Sequence, residues 1–383
     1  MSRPKKVLVI TSGGDSPGLN TVISSFTRHA VEHYGFQVIG SRRAYFGIMA
    51  DEPDLMPLYP SEVIDIHNRG GTILGTVNRG DPFHFPVAGP NGVAIRDSSD
   101  ALIKKLKVLG FDAVVAIGGD GSQRISLQLF KKGLRIVGVP KTIDNDLKCT
   151  DYTFGFQTAV EIATDAIDKL RTTAQSHNRV MILELMGRGA GWIALSAGIA
   201  GGADVILVPE IPFSIEKVAE SIDRGRYGGR EHAIIVVAEG AVQEGGEAVV
   251  LEKGGDGGKD RLGGIGHRVA EQLKSLINQE VRVAVLGHLQ RGGAPCAYDR
   301  ILASQFGVAA VELVNEGRWG HMVAYRQPHV VAVPIEEAIA NYNRVDLAGD
   351  LMKAAIGLGI EFGADLTPFP LGTVPHGNSA VPA

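Results

Sequence analysis

At 383 residues the chain is long enough for two substantial domains, each with its own core. Its 44% apolar and 21% charged residues are ordinary for a soluble globular protein, and the net charge of −4 argues against a nucleic-acid partner recruited by bulk charge. The longest uncharged stretch, Gly189 to Ala203, is Gly-rich and short of the ~20 residues that span a bilayer, so no membrane segment is expected.

The two cysteines, Cys149 and Cys296, have no metal-like spacing and suit reduced thiols in the cytoplasm. Met1 to Lys6 lead into a four-residue apolar run, too short for a signal-peptide core. The 50 glycines cluster at the ends of apolar runs, which marks them as turns and phosphate loops rather than low complexity.

Val7 to Ile10 predict a buried parallel strand that runs into Thr11-Ser12-Gly13-Gly14-Asp15-Ser16-Pro17-Gly18 and then a helix with Val22, Ile23 and Phe26. Strand, Gly-Gly, helix is a place for backbone N–H groups to meet phosphate. A plain glycine turn capped by Asp15 is equally open. Residues 61–85, with Asn68, Arg69, Gly70 and Gly71 through Arg79-Gly80-Asp81, form a polar loop, either near a ligand or a solvated connection. Leu102, Ile103, Leu106 and Leu109 then share one helix face.

The centre of the chain is 114–146. Val114 to Ile117 end in Gly118-Gly119-Asp120-Gly121-Ser122; an amphipathic stretch with Ile125, Leu127, Leu129 and Phe130 follows; Ile136 to Val139 empty into Pro140-Lys141-Thr142-Ile143-Asp144-Asn145-Asp146. As one βαβ unit, this sends both polar loops from the carboxyl ends of neighbouring parallel strands, where open α/β sheets bind ligands.

Further on, Val160, Ala163, Ile167 and Leu170 sit at helical spacing, and Val180 to Leu185 form a strand ending in Met186-Gly187-Arg188. Val205 to Val208 and Ile234 to Ala238 are strands, the second closing on Glu239-Gly240. Residues 243–266 read as a surface loop. A helix with Val269, Leu273, Leu276 and Ile277 leads to the strand Val281 to Leu286, which opens into Gly287-His288-Leu289-Gln290-Arg291-Gly292-Gly293. The alternation predicts an α/β protein with parallel sheets in two lobes. From Ala364 the chain is rich in Pro, Gly and Thr and is expected to be a tail.

Phosphoryl transfer to an alcohol needs cradled phosphates, a metal and a base. Gly118, Gly119 and Gly121 let the backbone approach phosphate, Asp120 offers Mg²⁺ a hard ligand, and Asp144 is placed to accept a proton. Thr142 offers the moving phosphoryl a hydrogen bond. Asn145 suits a structural role, and Asp146 either supports the loop or binds metal through water. Arg179, Arg188, Arg282, His288 and Arg291 lie near the ends of apolar runs and are expected to converge on an anionic acceptor. Singly, such an arginine is a surface residue and such a histidine a structural one.

SGGD at 12–15, GGDGS at 118–122, PKTIDND at 140–146, MGR at 186–188 and GHLQRGG at 287–293 together resemble the 6-phosphofructokinase family, in shared order from about residue 6 to 345. The resemblance implies that family's fold, with Rossmann-like lobes made of 1–157 plus 289–340 and of 158–288 plus 341–358, before a tail at 364–383. It implies transfer of the γ-phosphoryl of MgATP to the 1-hydroxyl of fructose 6-phosphate. Asp144 would be the base, with Thr142 and Arg188 beside it, and Asp120 the Mg²⁺ ligand. Gly14, Arg79, Gly119, Asp120, Gly121 and Ser122 would face the nucleotide. Thr142, Ile143, Asp144, Met186, Gly187, Arg188 and Glu239 would face the sugar, and the His288, Leu289, Gln290, Arg291 stretch its 6-phosphate. Arg179 and Arg282 match positions that a neighbouring subunit donates, which implies a homo-oligomer, dimer or tetramer.

Gly121 and Lys141 bear on the donor. Pyrophosphate-using members carry Asp at the first position and Lys at the second, so this glycine–lysine pair resembles the mixed-substrate group. A carboxylate would exclude the α-phosphate of ATP, so Gly121 predicts ATP as the main donor. Allosteric bacterial members carry arginines where this chain has Ser24 and Pro60, so regulation by ADP or phosphoenolpyruvate is not implied.

Overall fold

A computed structural model describes residues 5–77, 81–89, 92–227, 229–254 and 260–366. Strand β1 (Lys6–Ser12) feeds helix α1 (Leu19–Tyr34) and then β2 (Gln37–Ser41), parallel to β1. The short α2 (Tyr45–Met49) and α3 (Pro60–Val63) flank β3 (Leu55–Pro57), which adds antiparallel to β2. A hairpin of β4 (Phe85–Gly89) and β5 (Gly92–Arg96) precedes α4 (Ser99–Val108). Then comes the βαβ unit: β6 (Ala113–Gly118), α5 (Asp120–Lys131) and β7 (Ile136–Pro140).

Helix α6 (Phe156–His177) crosses to a second sheet. It holds β8 (Val180–Leu185), β9 (Val205–Leu207) and β10 (Ala233–Ala238), interleaved with α7 (Trp192–Ala200) and α8 (Ile215–Tyr227). The stretch expected to be an irregular surface loop holds a small hairpin, β11 (Val250–Glu252) with β12 (Arg261–Leu262), ahead of α9 (Ile265–Leu273) and β13 (Val281–Val285). The chain returns through a 3-10 turn, Gly287–Arg291, and α10 (Ala297–Glu316) to β14 (His321–Arg326) and β15 (His329–Pro334). The short α11 (Ile335–Ala338) and α12 (Asp350–Gly357) follow.

The first sheet runs β15-β14-β7-β6-β1-β2-β3, parallel except at its two edge strands; the second, β13-β8-β10-β9, is wholly parallel. Alternate residues of β1 enter different cores: Val7 and Val9 meet α1 and α10, while Leu8 and Ile10 meet the layer of α4 and α5. The second sheet is buried the same way, with Leu183 and Val236 on the α6 and α7 side and Ile182 and Val237 on the α8 and α9 side. Strands covered on both faces read as continuous apolar runs, which is why they were legible.

Helix α5 departs from its hydrophobic pattern. It buries Ser122, Gln123, Ser126 and Leu129, while Phe130 is 37% exposed. Gln123 Nε2 donates to the carbonyls of Ala116, Gly118 and Val139, so a polar side chain packs this helix onto the sheet. Of the expected tail, Ala364 and Leu366 pack against the second core and Asp365 pairs with Lys217; residues 367–383 lie outside the described residues. Among the described residues no helix is long and apolar enough to cross a membrane.

Helices α1 and α10 approach closely at Gly307, where a Cβ would lie 2.0 Å from Ser25 Oγ and 2.9 Å from the backbone of Val22 and Phe26. Overpacking of this kind costs about 1–3 kcal/mol. Gly307→Ala is therefore expected to lower the denaturant midpoint with an unchanged m-value; an unaltered midpoint would mean the helices separate freely.

Candidate active site

Three loops leave the carboxyl ends of adjacent strands β1, β6 and β7, whose last pairs are Ser12 with Gly118 and Gly118 with Pro140. They touch directly. Ser122 Oγ donates to Ser12 Oγ (3.0 Å), the Lys141 N–H to the Gly118 carbonyl (3.1 Å), and Lys141 Nζ to the Gly14 carbonyl. Gly118 has to be glycine, because a Cβ there would sit 2.3 Å from that of Ser122. A Cβ on Gly121, by contrast, would meet no atom within 4 Å. The 72–77 stretch joins this group, since Thr76 Oγ1 donates to the Gly13 carbonyl and the Gly13 N–H to that of Val77. It is thus a wall of the site rather than a solvated connection. Arg79 lies outside the described residues.

Asp120 opens α5 and pairs with Arg124 one turn on (3.0 Å), whose guanidinium also donates to the Ile339 carbonyl (2.8 Å). One hard carboxylate beside a phosphate-sized turn is the donor set that suits Mg²⁺, an ion held by one or two carboxylates and substrate phosphates.

The 141–146 loop is buried throughout. The Asp144 N–H donates to Thr142 Oγ1 (3.1 Å), and Asp144 Oδ1 has no hydrogen-bond partner among the described residues. A buried acceptor left open is costly unless something else comes to fill it. Ile143 sends its side chain into the second core, so only its backbone faces the loop's open side. Asn145, at φ +52, is structural: Oδ1 accepts from the Thr153 N–H (2.9 Å), and Nδ2 donates to the Asp151 carbonyl (3.1 Å).

From the second sheet, Met186, Gly187 and Arg188 leave β8 and Glu239 leaves β10. Gly187, at φ +144, turns the chain so that the Arg188 N–H donates to Glu239 Oε1 (3.0 Å). Burial pushes the Glu239 carboxyl up to about 7; the Arg188 N–H opposes this, and the Asp144 carboxylate pushes the same way. Asp144 and Glu239, from different lobes, therefore share one field. Gln290, fully buried, accepts from the Met186 N–H (2.8 Å) and pins the 3-10 turn beneath. His288 and Leu289 are exposed on that turn, and Arg291 Nη1 reaches back to the Asp15 carbonyl (3.1 Å).

Arg179 and Arg282 do not join this group. Both stand at the amino ends of β8 and β13 and pair with Glu280, roughly 17 Å (Arg282) and roughly 23 Å (Arg179) along the strand from Met186 at about 3.3 Å per residue. The expected convergence of all five basic residues on one edge therefore fails within a chain. Residues at the beginning and at the end of an apolar run look alike in sequence but lie on opposite sheet edges. Missed altogether was Asn343, whose Nδ2 donates to the Asn145 carbonyl (3.0 Å) while its own carbonyl accepts from Trp192 Nε1 (2.8 Å). It lies far along the chain in a stretch without pattern, and no sequence signal marks it.

The family model for phosphofructokinase matches residues 6–314. The chain belongs to the phosphofructokinase family. It is 50% identical over 365 residues to a Chloroflexus aurantiacus protein named ATP-dependent 6-phosphofructokinase, covering 95% of this chain and 99% of that one. It is 47% identical over 345 residues to an Amycolatopsis methanolica protein named pyrophosphate–fructose 6-phosphate 1-phosphotransferase, covering 89% and 96%. Among solved structures, Pichia pastoris phosphofructokinase in the T-state superposes with a TM-score of 0.77 at 31% identity; 89% of this chain matches 36% of that longer one.

Lys141 is the buried cation of this site. Burial pulls its ammonium down to about 8 and Arg291 adds to this, while Asp144, Asp146 and Asp15 pull it back up. It is charged below that pH and neutral above. Inorganic pyrophosphate, titrated by calorimetry, is therefore expected to lose affinity as pH rises through about 8. Lys141→Met should remove that step. If wild type and variant show the same pH dependence, Lys141 does not meet the anion.

Proposed function

We propose that the protein is an ATP-dependent 6-phosphofructokinase, which transfers the γ-phosphoryl of MgATP to the 1-hydroxyl of D-fructose 6-phosphate, giving fructose 1,6-bisphosphate and ADP in glycolysis. The observation that carries this is the buried Asp144 Oδ1, without a hydrogen-bond partner among the described residues and set between a glycine-rich phosphate turn on one sheet and Glu239 on the other. Membership of the family and the names of its relatives support the same substrates.

In this mechanism Asp144 takes the proton from the attacking hydroxyl as it closes on the phosphoryl. Thr142 and Arg188 hold the oxygens being moved, and backbone amides from Gly119 to Ser122 receive the phosphates at the start of α5. Gly14 and Arg79 complete the nucleotide side. Mg²⁺, held by Asp120 and the donor's phosphates, would shield their charge. Ile143, Met186, Gly187 and Glu239 shape the sugar pocket, and the His288–Arg291 turn takes the 6-phosphate. We place the lobe divisions at 1–157 plus 289–340 and 158–288 plus 341–358. The packing of α10 and β14 on the first sheet and of α12 on α7 supports them. Cytoplasmic location fits the two free cysteines.

Arg179 and Arg282 are assigned to a neighbouring subunit's site, in a dimer or tetramer, because within their own chain they stand on the far sheet edge. Asp144→Asn is expected to lower kcat by ~10²–10⁴-fold. Mixed with an inactive Arg282→Ala chain, it should regain activity in hybrid oligomers. Verified hybrids that stay dead would remove Arg282 from the shared site.

Pyrophosphate as donor is the second reading, favoured by Lys141 and by the name of the Amycolatopsis relative. Gly121 weighs against it: a Cβ there meets no atom within 4 Å, so the position is open toward the site, and a carboxylate placed there would oppose the α-phosphate. Initial rates with the two donors at matched Mg²⁺ should favour ATP, and Gly121→Asp should depress ATP use selectively. Equal or better rates with pyrophosphate in the wild type would reverse the assignment.

A further inference from the structure

Asp299 is a carboxylate without exposure that no step above uses. Its Oδ2 accepts from the Thr158 N–H (2.7 Å) and the Thr158 hydroxyl (2.6 Å), with the Cys296 thiol at 3.7 Å. The Thr158 hydroxyl accepts in turn from the Cys296 N–H (3.0 Å), so the donors form a chain in which each bond polarises the next. Oδ1 is buried with no hydrogen-bond partner among the described residues, and burial pushes the carboxyl above its ordinary range. Two helix ends offset that cost. Thr158 lies in the first turn of α6 and Asp299 in the first turn of α10, and each macrodipole favours an anion there.

The two helices joined in this way leave different parts of the site. Helix α6 leads out of the Asp144 loop, and α10 follows the His288–Arg291 turn through Gly292, Gly293, Ala294 and Pro295. That turn is held to the second sheet at Gln290, on the Met186 N–H, to α6 at Cys296, on the Thr158 hydroxyl, and to the first loop by Arg291 on the Asp15 carbonyl. The Asp144 loop has its own supports, the Thr153 hydroxyl on the Thr142 carbonyl (2.8 Å) and the Thr153 N–H on Asn145. Breaking the Asp299 contact therefore frees the turn, not the loop.

We propose that Asp299, acting through Thr158 and Cys296, is a positioning residue that sets His288 and Arg291 at the right distance from Asp144 for the sugar phosphate. It rests on the proposed function, since the anion that His288 and Arg291 await is the 6-phosphate of the acceptor. Asp299, Thr158 and Cys296 themselves make no hydrogen bond to the nucleotide loops at 13–18 and 119–122 among the described residues; the one polar link from the turn is Arg291 Nη1 on the Asp15 carbonyl. Loss of the latch should therefore act chiefly on the acceptor.

Thr158→Val keeps the volume and removes the hydroxyl. It is expected to raise KM for fructose 6-phosphate roughly tenfold, with KM for ATP and saturating kcat within about twofold. Thr158→Ser should restore the wild-type value, and Asp299→Asn should repeat the split. Circular dichroism checks that each chain is folded. A folded Thr158→Val enzyme with unchanged constants, or with all three moving together, would overturn the proposal. So would loss of folding in Thr158→Val, which would make the latch a requirement of the fold alone. Failure of the wild type to turn over fructose 6-phosphate with ATP would instead overturn the proposed function.

Discussion

Lys141 carries an ammonium into a position only 3% exposed, where a charge persists only among acceptors and counter-charges. The Gly14 carbonyl accepts a hydrogen bond from it, and the charges of Asp144, Asp146 and Asp15 favour it, with Arg291 opposing. These partners come from three separate segments of chain, at 14–15, 144–146 and 291. The first-sheet loops can neither drift apart nor fold over one another without leaving that charge short of partners. The same requirement holds Asp144 in place with one oxygen unused. In the proposed mechanism this would present the base already oriented to its substrate.

The two sheets are joined across this arrangement by contacts at several places. Asp144 and Glu239 feel each other's charge, and Asn343 bridges the Asn145 carbonyl to Trp192 of α7. The Asn343 N–H also donates to the Asp146 carbonyl (2.9 Å), so a segment after α11 braces the loop from the side opposite Lys141. Glu210 extends the brace, accepting from the Gly191 N–H (3.0 Å) and the Val345 N–H (2.9 Å).

Most of the doubly buried strands were legible in the sequence, because both faces of each are covered and apolar residues run on without alternation. The loops after β6 and β7 were legible because glycine, carboxylate and hydroxyl follow directly on such runs. Several edge elements were not. β3, the β4–β5 and β11–β12 hairpins and β15 carry weak or mixed patterns, and their pairing is set by partners distant in sequence. Helix α5 misled for a different reason: Gln123 satisfies three strand carbonyls, and a polar contact of that kind leaves no apolar stripe. The direction of each strand relative to its arginine decided the error over Arg179 and Arg282, and composition at a strand end carries no arrow.

Gly121 has a consequence for how such a site changes over time. It lies in the first turn of α5, at φ < 0, with no protein atom near its absent side chain. Most substitutions destabilise a fold and are removed for that reason alone. A Cβ added here meets no protein atom within 4 Å, so if Gly121 has the donor-selecting role proposed above, a change there would act on what the pocket accepts more than on packing. A lineage could exchange one phosphoryl donor for another in a single step, without passing through an unstable intermediate.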